Sequence, residues 1–332
     1  VILIGEREIN MEHAKNPKVV VIGGGTGMPV LLRGLKSLPI DLIAIVTVAD
    51  DGGSTGRLRN EMAIPAPGDI RNVIAALSDA EPMLVELFQH RFEVGNGLSG
   101  HSLGNLLLAA MTSVTGDFYD GIKEISRVLN VKGTIYPIST ENLSLHAKME
   151  DGTVVSGESN IPLSNKKIEH VFLSPEPVKP FSHAVQAIID ADLIVIGPGS
   201  LYTSIMPNLI VPSVQEALET TTAKIVYVCN LMTQAGETTG YTATDHVEAI
   251  ERHIGKGIVQ SIVVHNEPIQ EAIREKYAEE NAEPVIYDTD RLLLLGLEII
   301  EGDIINKQHP ALRHDNDKIA KLLYSLLTDK KQ

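Results

Sequence analysis

The chain has 332 residues, 43% of them hydrophobic, enough for one large domain or two small ones. Its formal net charge is −15 and its pI is near 5.2, which argues against a nucleic-acid or anionic-membrane partner. An acidic chain that holds phosphate must do so with backbone N–H groups, a few placed arginines or a metal.

The single cysteine, Cys229, follows the apolar run Ile225 to Val228 and reads as a core thiol. One cysteine allows no internal disulfide, which fits a reducing cytoplasm, the expected location. No stretch reaches the ~20 apolar residues of a membrane span. Val1 to Gly5 is apolar but too short for the core of a secretory signal. Met11 reads as an alternative start, and residues 1–16 as an N-terminal extension expected to be disordered.

Val19 to Ile22 is a short apolar run that meets a glycine turn, Gly23 to Gly27. Val30, Leu31, Leu35 and Leu38 then recur near helical spacing, and Pro29 suits a first helical turn. In this strand, loop and helix, Gly24, Gly25, Thr26 and Gly27 are candidates for cradling an anion with backbone N–H groups. The dinucleotide fingerprint is incomplete, because its third glycine position is Met28. Neither Asp41 nor Asp50 falls cleanly at the ribose position. The plainer reading of the loop is a tight turn.

Ile43 to Ala49 reads as a second buried parallel strand. It opens into Asp50-Asp51-Gly52-Gly53-Ser54-Thr55-Gly56-Arg57. Packing does not readily explain two adjacent carboxylates among glycines at a strand end. Asp50, Asp51, Gly52, Gly53, Ser54 and Arg57 are therefore ligand candidates, and any metal is assigned to Asp50 and Asp51. If the strands share a sheet, both loops leave its carboxyl edge, where open α/β sheets bind ligands.

Asp69, after Pro67-Gly68, is placed to cap the helix over Ile70 to Leu77 and to border a site. Met83 to Phe92 reads as an amphipathic helix. Gly100-His101-Ser102-Leu103-Gly104 spells a hydrolase nucleophile elbow, but a flexible loop precedes it where a strand is required. Ser102 thus reads as the cap of a helix over Leu103 to Met111, with His101 and Asn105 as ligand candidates beside it. Ile122 to Leu129 continues helical.

From Thr134 to Leu173 the period changes to that of strands, with Glu150-Asp151-Gly152 as a turn, predicting a small antiparallel insertion. Helix Ser182 to Ala191 and strand Asp192 to Ile196 resume the α/β pattern. Gly197-Pro198-Gly199-Ser200-Leu201-Tyr202-Thr203-Ser204 follows. Gly197, Gly199, Ser200, Tyr202 and Thr203 form a second candidate phosphate cradle, or else a βα turn capped by Ser200. Beyond it come strand Lys224 to Val228 leading to Asn230, another ligand candidate, and a helix around Val247 to Ile254. Strand Gln260 to His265, helix Ile269 to Asn281, an extended Pro284 to Tyr287 and helix Ile319 to Leu327 complete the chain.

Five motifs stand in one order: Gly-Gly-Gly-Thr-Gly (23–27), Ala-Asp-Asp-Gly-Gly-Ser-Thr-Gly-Arg-Leu-Arg (49–59), Pro-Gly-Asp-Ile-Arg-Asn (67–72), Gly-His-Ser-Leu-Gly-Asn (100–105) and Gly-Pro-Gly-Ser-Leu-Tyr-Thr-Ser (197–204). The set resembles the gluconeogenesis-factor proteins of the YvcK type, sisters to the 2-phospho-L-lactate transferases of the CofD type, over residues 17–328. The resemblance implies a single α/β domain: a Rossmann-like, mostly parallel sheet with helices on both faces and a β-rich insertion at about 134–173. It also implies a role in growth on gluconeogenic carbon sources and in cell-shape and cell-wall homeostasis.

The ligand implied by the resemblance is UDP-N-acetylglucosamine or a related UDP-sugar, and Tyr277 and Arg313 match family positions linked to it. Tyrosine can stack on a base, and arginine can grip a diphosphate. The alternative is an Mg²⁺-dependent transferase, put in doubt by the long Asp-Asp-Gly-Gly-Ser loop and the Gly-His-Ser-Leu-Gly-Asn motif. NAD is a weaker candidate occupant of the same cleft, and a serine hydrolase built on Ser102 fails on the missing strand. A protein partner in cell-wall metabolism and a homo-oligomer stand as further expectations.

Overall fold

Aliphatic runs such as Val19 to Ile22 are buried on both faces because they lie inside a parallel sheet. The computed structural model describes residues 16–308 and 311–328. Among these, the strands in chain order are β1 (Lys18–Gly23), β2 (Asp41–Val46), β3 (Thr134–Pro137), β4 (Ser144–Met149), β5 (Val154–Ser156), β6 (Ile168–Ser174), β7 (Leu193–Ile196), β8 (Lys224–Val228), β9 (Ser261–His265) and β10 (Glu298–Gly302). The main sheet has the order β10-β9-β8-β7-β1-β2-β3, and its pairs are parallel. A second, antiparallel sheet has the order β5-β4-β6.

The helices are α1 (Gly27–Leu35), α2 (Gly53–Met62), α3 (Gly68–Leu77), α4 (Pro82–Gln89), α5 (Leu103–Thr115), α6 (Phe118–Val128), α7 (Ser182–Ile189), α8 (Met206–Leu209), α9 (Pro212–Thr220), α10 (Ala243–Ile254), α11 (Glu271–Ala278), α12 (Thr289–Leu294) and α13 (Asn316–Thr328). A π-helical turn, Leu201–Ile205, leads into α8. Helix α1 packs on α3 and α13, and α7 packs on α9. Among the described residues, no helix is long and apolar enough to cross a membrane.

From β1 the chain winds outward through β2 to β3, then returns to the other flank of β1 as β7. The order therefore reverses between β1 and β7. At such a switch point the two flanking loops turn apart and open a crevice at the carboxyl edge. The loops there are Gly23 to Gly27 and Gly197 to Ser200.

Two expectations change at the sheet edges. Thr134 to Pro137 is not part of the insertion. It pairs in parallel with β2, from Ile43–Thr134 to Val46–Pro137, as an edge of the main sheet. Its burial alternates, so it carries the same pattern as a strand of a two-sided antiparallel sheet, and proline is tolerated at an edge. The insertion proper begins at β4. The opposite edge, β10, and the helix α12 before it were not anticipated. Glu298-Ile299-Ile300-Glu301-Gly302 is short, acidic at both ends and only partly buried. The proposed extension and the alternative start at Met11 lie essentially outside the described residues.

Candidate functional site

The two switch-point loops touch. A Cβ on Gly27 would stand 2.7 Å from the Pro198 carbonyl oxygen and 3.1 Å from the Gly199 nitrogen. Only glycine allows the start of α1 to approach the other loop this closely. Asn230, just past β8, braces that loop from behind: its Oδ1 accepts the Gly199 N–H at 3.3 Å and its Nδ2 donates to the Gly199 carbonyl at 2.9 Å. Thr26 occupies the cap position of α1 without a side-chain cap bond.

A cavity of about 390 Å³ opens at this junction. Thr26, Gly27, Gly199, Ser200, Asn230, Tyr277 and Arg313 all line it, together with Met232, Leu312 and His314. The tertiary structure thus brings residues from β1, β7, β8, α11 and the segment before α13 to one cleft. Tyr277 accepts the Leu312 N–H on its hydroxyl at 3.0 Å. His314 is buried, and its Nε2–H donates to the Cys229 carbonyl at 3.2 Å. Burial pushes the His314 ring down to about 4, so it is neutral at physiological pH. Cys229 is a buried thiol, pushed by burial up to about 12.

Beside this cleft lies an acidic cluster. Asp50 Oδ1 accepts the Gly52 N–H at 2.9 Å, closing the turn into α2. Asp69 does not cap α3. Pro67 holds the cap position, and Asp69 sits two positions past it, inside the first turn, where its buried carboxyl takes the Gly25 N–H. Helix geometry explains the shift: Gly68 already has helical backbone, so a carboxylate at 69 points across to the neighbouring loop. A Cβ on Gly24 would meet Asp69 Oδ2 at 2.6 Å. Burial, reinforced by the charge of Asp50, raises Asp69 to about 7.

The insertion contributes a third acid. Gly157 and Ser159 lie over Asp51, whose Oδ1 accepts the Ser159 N–H at 2.9 Å. Between them Glu158 is raised to about 8, by burial first and then by Asp50 and Asp69. Buried Arg59 ties the Asp50 loop to the insertion. It donates to the carbonyls of Ala49 and Asp50, to Asn142 Oδ1 and to the Leu143 carbonyl. Among the described residues no three His, Cys, Asp or Glu side chains converge as a ready metal-ligand set.

Several predicted residues face elsewhere. Tyr202 and Thr203 are buried, and their N–H groups donate to Glu237 Oε2 at 3.1 and 3.2 Å, while Thr203 Oγ1 donates to Glu237 Oε1 at 2.9 Å. The start of the π-helical turn is thus filled by the protein's own carboxylate, which burial raises to about 7. Ser200 makes no cap bond there. Arg57 points outward to the carbonyls of Ser99 and Gly97. Ser54, His101 and Asn105 meet one another: Ser54 Oγ lies 2.9 Å from His101 Nδ1 and accepts from Asn105 Nδ2 at 3.1 Å. Ser102 is fully buried and caps α5 by accepting the Asn105 N–H, so it cannot act as an exposed nucleophile.

Glu158, Glu237 and His314 escaped the sequence reading. Each lies among other polar residues in an irregular segment and shows no spacing signal. Arg59 stands inside the 49–59 motif and could have been singled out there.

Comparison with known proteins agrees with this architecture. The sequence model of the family described as "2-phospho-L-lactate transferase CofD" matches residues 19–305. A protein of Halalkalibacterium halodurans named "Gluconeogenesis factor" is 59% identical over 309 residues, 93% of this chain and 96% of its own length. Another of that name, from Bacillus subtilis, is 55% identical over 315 residues, covering 95% and 99%. A crystal structure from Bacillus halodurans, described as a member of the upf0052 family, superposes with a TM-score of 0.91 at 58% identity and covers 93% of this chain and 99% of its own. With a family match over most of its length and relatives this similar, the chain belongs to the CofD family, among the proteins named gluconeogenesis factor.

Proposed function

We propose that this protein is a cytoplasmic regulatory protein that binds a nucleotide sugar, UDP-N-acetylglucosamine or a related UDP-sugar, in the switch-point cleft. The observation that carries this reading is the convergence of two backbone loops, Arg313 and Tyr277 on one cavity. Backbone N–H groups at Thr26, Gly27 and Ser200 suit a diphosphate, while Asn230 holds Gly199 beside them, and the planar fork of Arg313 suits its oxygens. Tyr277 offers an aromatic face for the nucleoside. The names of its relatives support a role in gluconeogenic growth. The link to cell shape and the cell wall is part of the same reading.

A second reading, an Mg²⁺-dependent transferase, is favoured by the family description and by the acidic cluster. Asp69 is buried, with Asp50 and Glu158 half-buried beside it, and crowding of these carboxyls holds protons on Asp69 and Glu158 that a hard cation would displace. With Asp51 tied to Ser159, a cation would rely on Asp50, a neighbouring acid and water. Mg²⁺ would there stabilise charge developing on phosphate oxygens.

Ligand-dependent thermal unfolding separates these readings, with UDP-N-acetylglucosamine, UDP-glucose, NAD, GTP and GDP each tested with and without Mg²⁺. A ligand at 100 times its dissociation constant stabilises by about 2.7 kcal/mol. The expected result is a shift with UDP-sugars that is lost in Arg313→Ala. A shift confined to guanine nucleotides with Mg²⁺ would favour the transferase, and one confined to NAD would overturn both.

A further inference from the structure

The cavity that holds Tyr277 is one of two that meet at Arg313. The second, of about 340 Å³, shares Thr26, Val30, Arg313 and His314 with the first and extends over Arg33, Asn72, Gln89, Asn306 and Asn316. Both mix polar and apolar groups, and Tyr277 lines only the first. On the Tyr277 side the wall sets that ring among Leu231, Met232 and Leu312, with Asn230, Thr233 and Gln234 beside them. On the far side it is built from four carboxamides and a guanidinium.

Those polar groups have capacity to spare. Each carboxamide carries two donors and an acceptor. Asn72 Oδ1 accepts from Arg71 at 2.8 Å and Asn306 Oδ1 from the Gln308 N–H at 3.0 Å, which leaves both NH₂ groups uncommitted. Among the described residues, Gln89, Asn316 and Arg33 make no side-chain hydrogen bond or ion pair. The neutral His314 ring spends its one N–H on Cys229 and keeps Nδ1 as an acceptor. Donors and acceptors this dense, beside the aliphatic Pro29 and Val30, match a ring of hydroxyls with an apolar C–H face. Among the described residues, no tyrosine or phenylalanine lines this cavity for a nucleobase to stack on, whereas Tyr277 lines the other.

We infer that this carboxamide-lined pocket is the glycosyl subsite, and that Arg33 makes it favour a sugar bearing a carboxylate over a neutral hexose. The inference rests on the nucleotide-sugar reading. With the diphosphate at the divide formed by Thr26 and Arg313, the nucleoside lies toward Tyr277 and the sugar toward Arg33. Arg33 stands one and a half to two turns along α1 from Gly27, about 9 Å of helix rise. That spacing between backbone positions is on the scale of one hexose ring lying along α1. A carboxylate on the far carbon of the ring meets the planar, exposed guanidinium of Arg33 at the rim of the pocket.

The test is isothermal titration of the full chain with UDP, UDP-glucose and UDP-glucuronate, for the parent protein, Arg33→Gln and Asn306→Ala. The parent should bind UDP-glucuronate most tightly. Arg33→Gln should weaken UDP-glucuronate about threefold to tenfold and leave UDP and UDP-glucose unchanged. Asn306→Ala should weaken both UDP-sugars relative to UDP. Equal loss for all three ligands in Arg33→Gln would make Arg33 a phosphate contact and overturn the assignment, as would no loss for any. If the parent binds no uridine nucleotide, the nucleotide-sugar reading itself falls. If it binds UDP-sugars no better than UDP, only the subsite falls.

Discussion

The Leu312 N–H donates to the Tyr277 hydroxyl at 3.0 Å, so the tyrosine holds the residue immediately before Arg313. Tyr277 therefore acts on the site in two ways, through its ring and through the position of its neighbour's guanidinium. Tyr277→Phe keeps the ring and removes the anchor. We expect it to lower nucleotide-sugar affinity by about threefold to tenfold and stability by about 1 kcal/mol. Tyr277→Ala should cost more in affinity. Calorimetric titration of both variants beside Arg313→Ala checks this, and identical losses in Phe and Ala would show that the ring contributes nothing.

Gly27→Ala should be costly although the site is half open. The new methyl would meet backbone, the Pro198 carbonyl, rather than a side chain that can rotate away. Separating the two loops is the available relief, so we expect a loss of about 1–3 kcal/mol in denaturant unfolding together with weakened ligand binding. Unchanged stability would mean that the loops are free to part.

The acidic cluster predicts a pH dependence with a definite sign. Asp69 and Glu158 have folded-state values near 7 and 8, well above those of exposed carboxyls. Between about pH 4 and 8 the folded protein therefore binds more protons than the unfolded chain, and stability falls as pH rises. The contribution is fully present below the ordinary carboxyl range and is lost as pH passes through 7 to 8. We expect a decline on the order of 1–3 kcal/mol from pH 6 to 8.5, flattened in the double variant Asp69→Asn, Glu158→Gln. Added Mg²⁺ should offset the decline more at pH 8.5 than at pH 6 if the cluster takes a cation. Thermal unfolding across pH measures both effects.

Glu237 supports the second loop from within. Its carboxylate takes two backbone N–H groups and the Thr203 hydroxyl in a buried setting. Glu237→Ala strands those donors and should cost about 2–4 kcal/mol. Glu237→Gln keeps one acceptor oxygen and should cost less. Chemical denaturation of the pair distinguishes loss of the acceptor from loss of the charge.

The alternation of apolar runs with helical periods was legible from residues alone. Interior parallel strands are buried on both faces, so Val19 to Ile22, Leu193 to Ile196 and Ile225 to Val228 announce themselves as continuous apolar stretches. The glycine loops were legible because a turn from strand into helix beside another backbone demands glycine, as at Gly27. The edge strands β3 and β10 were not, because a half-exposed edge carries the same alternating or mixed pattern as any short two-sided strand.

Only the tertiary structure decided which polar residues meet. Sequence distance does not encode the fold-back that sets Leu312 on Tyr277, or the one that lays Glu158 over Asp50. Nor could local pattern show that Glu237 already occupies the N–H groups of Tyr202 and Thr203, or that Arg57 looks away from the cleft. A backbone N–H becomes a ligand donor only where the fold leaves it unfilled. That depends on partners tens of residues away, whose approach is set by the burial of the whole sheet.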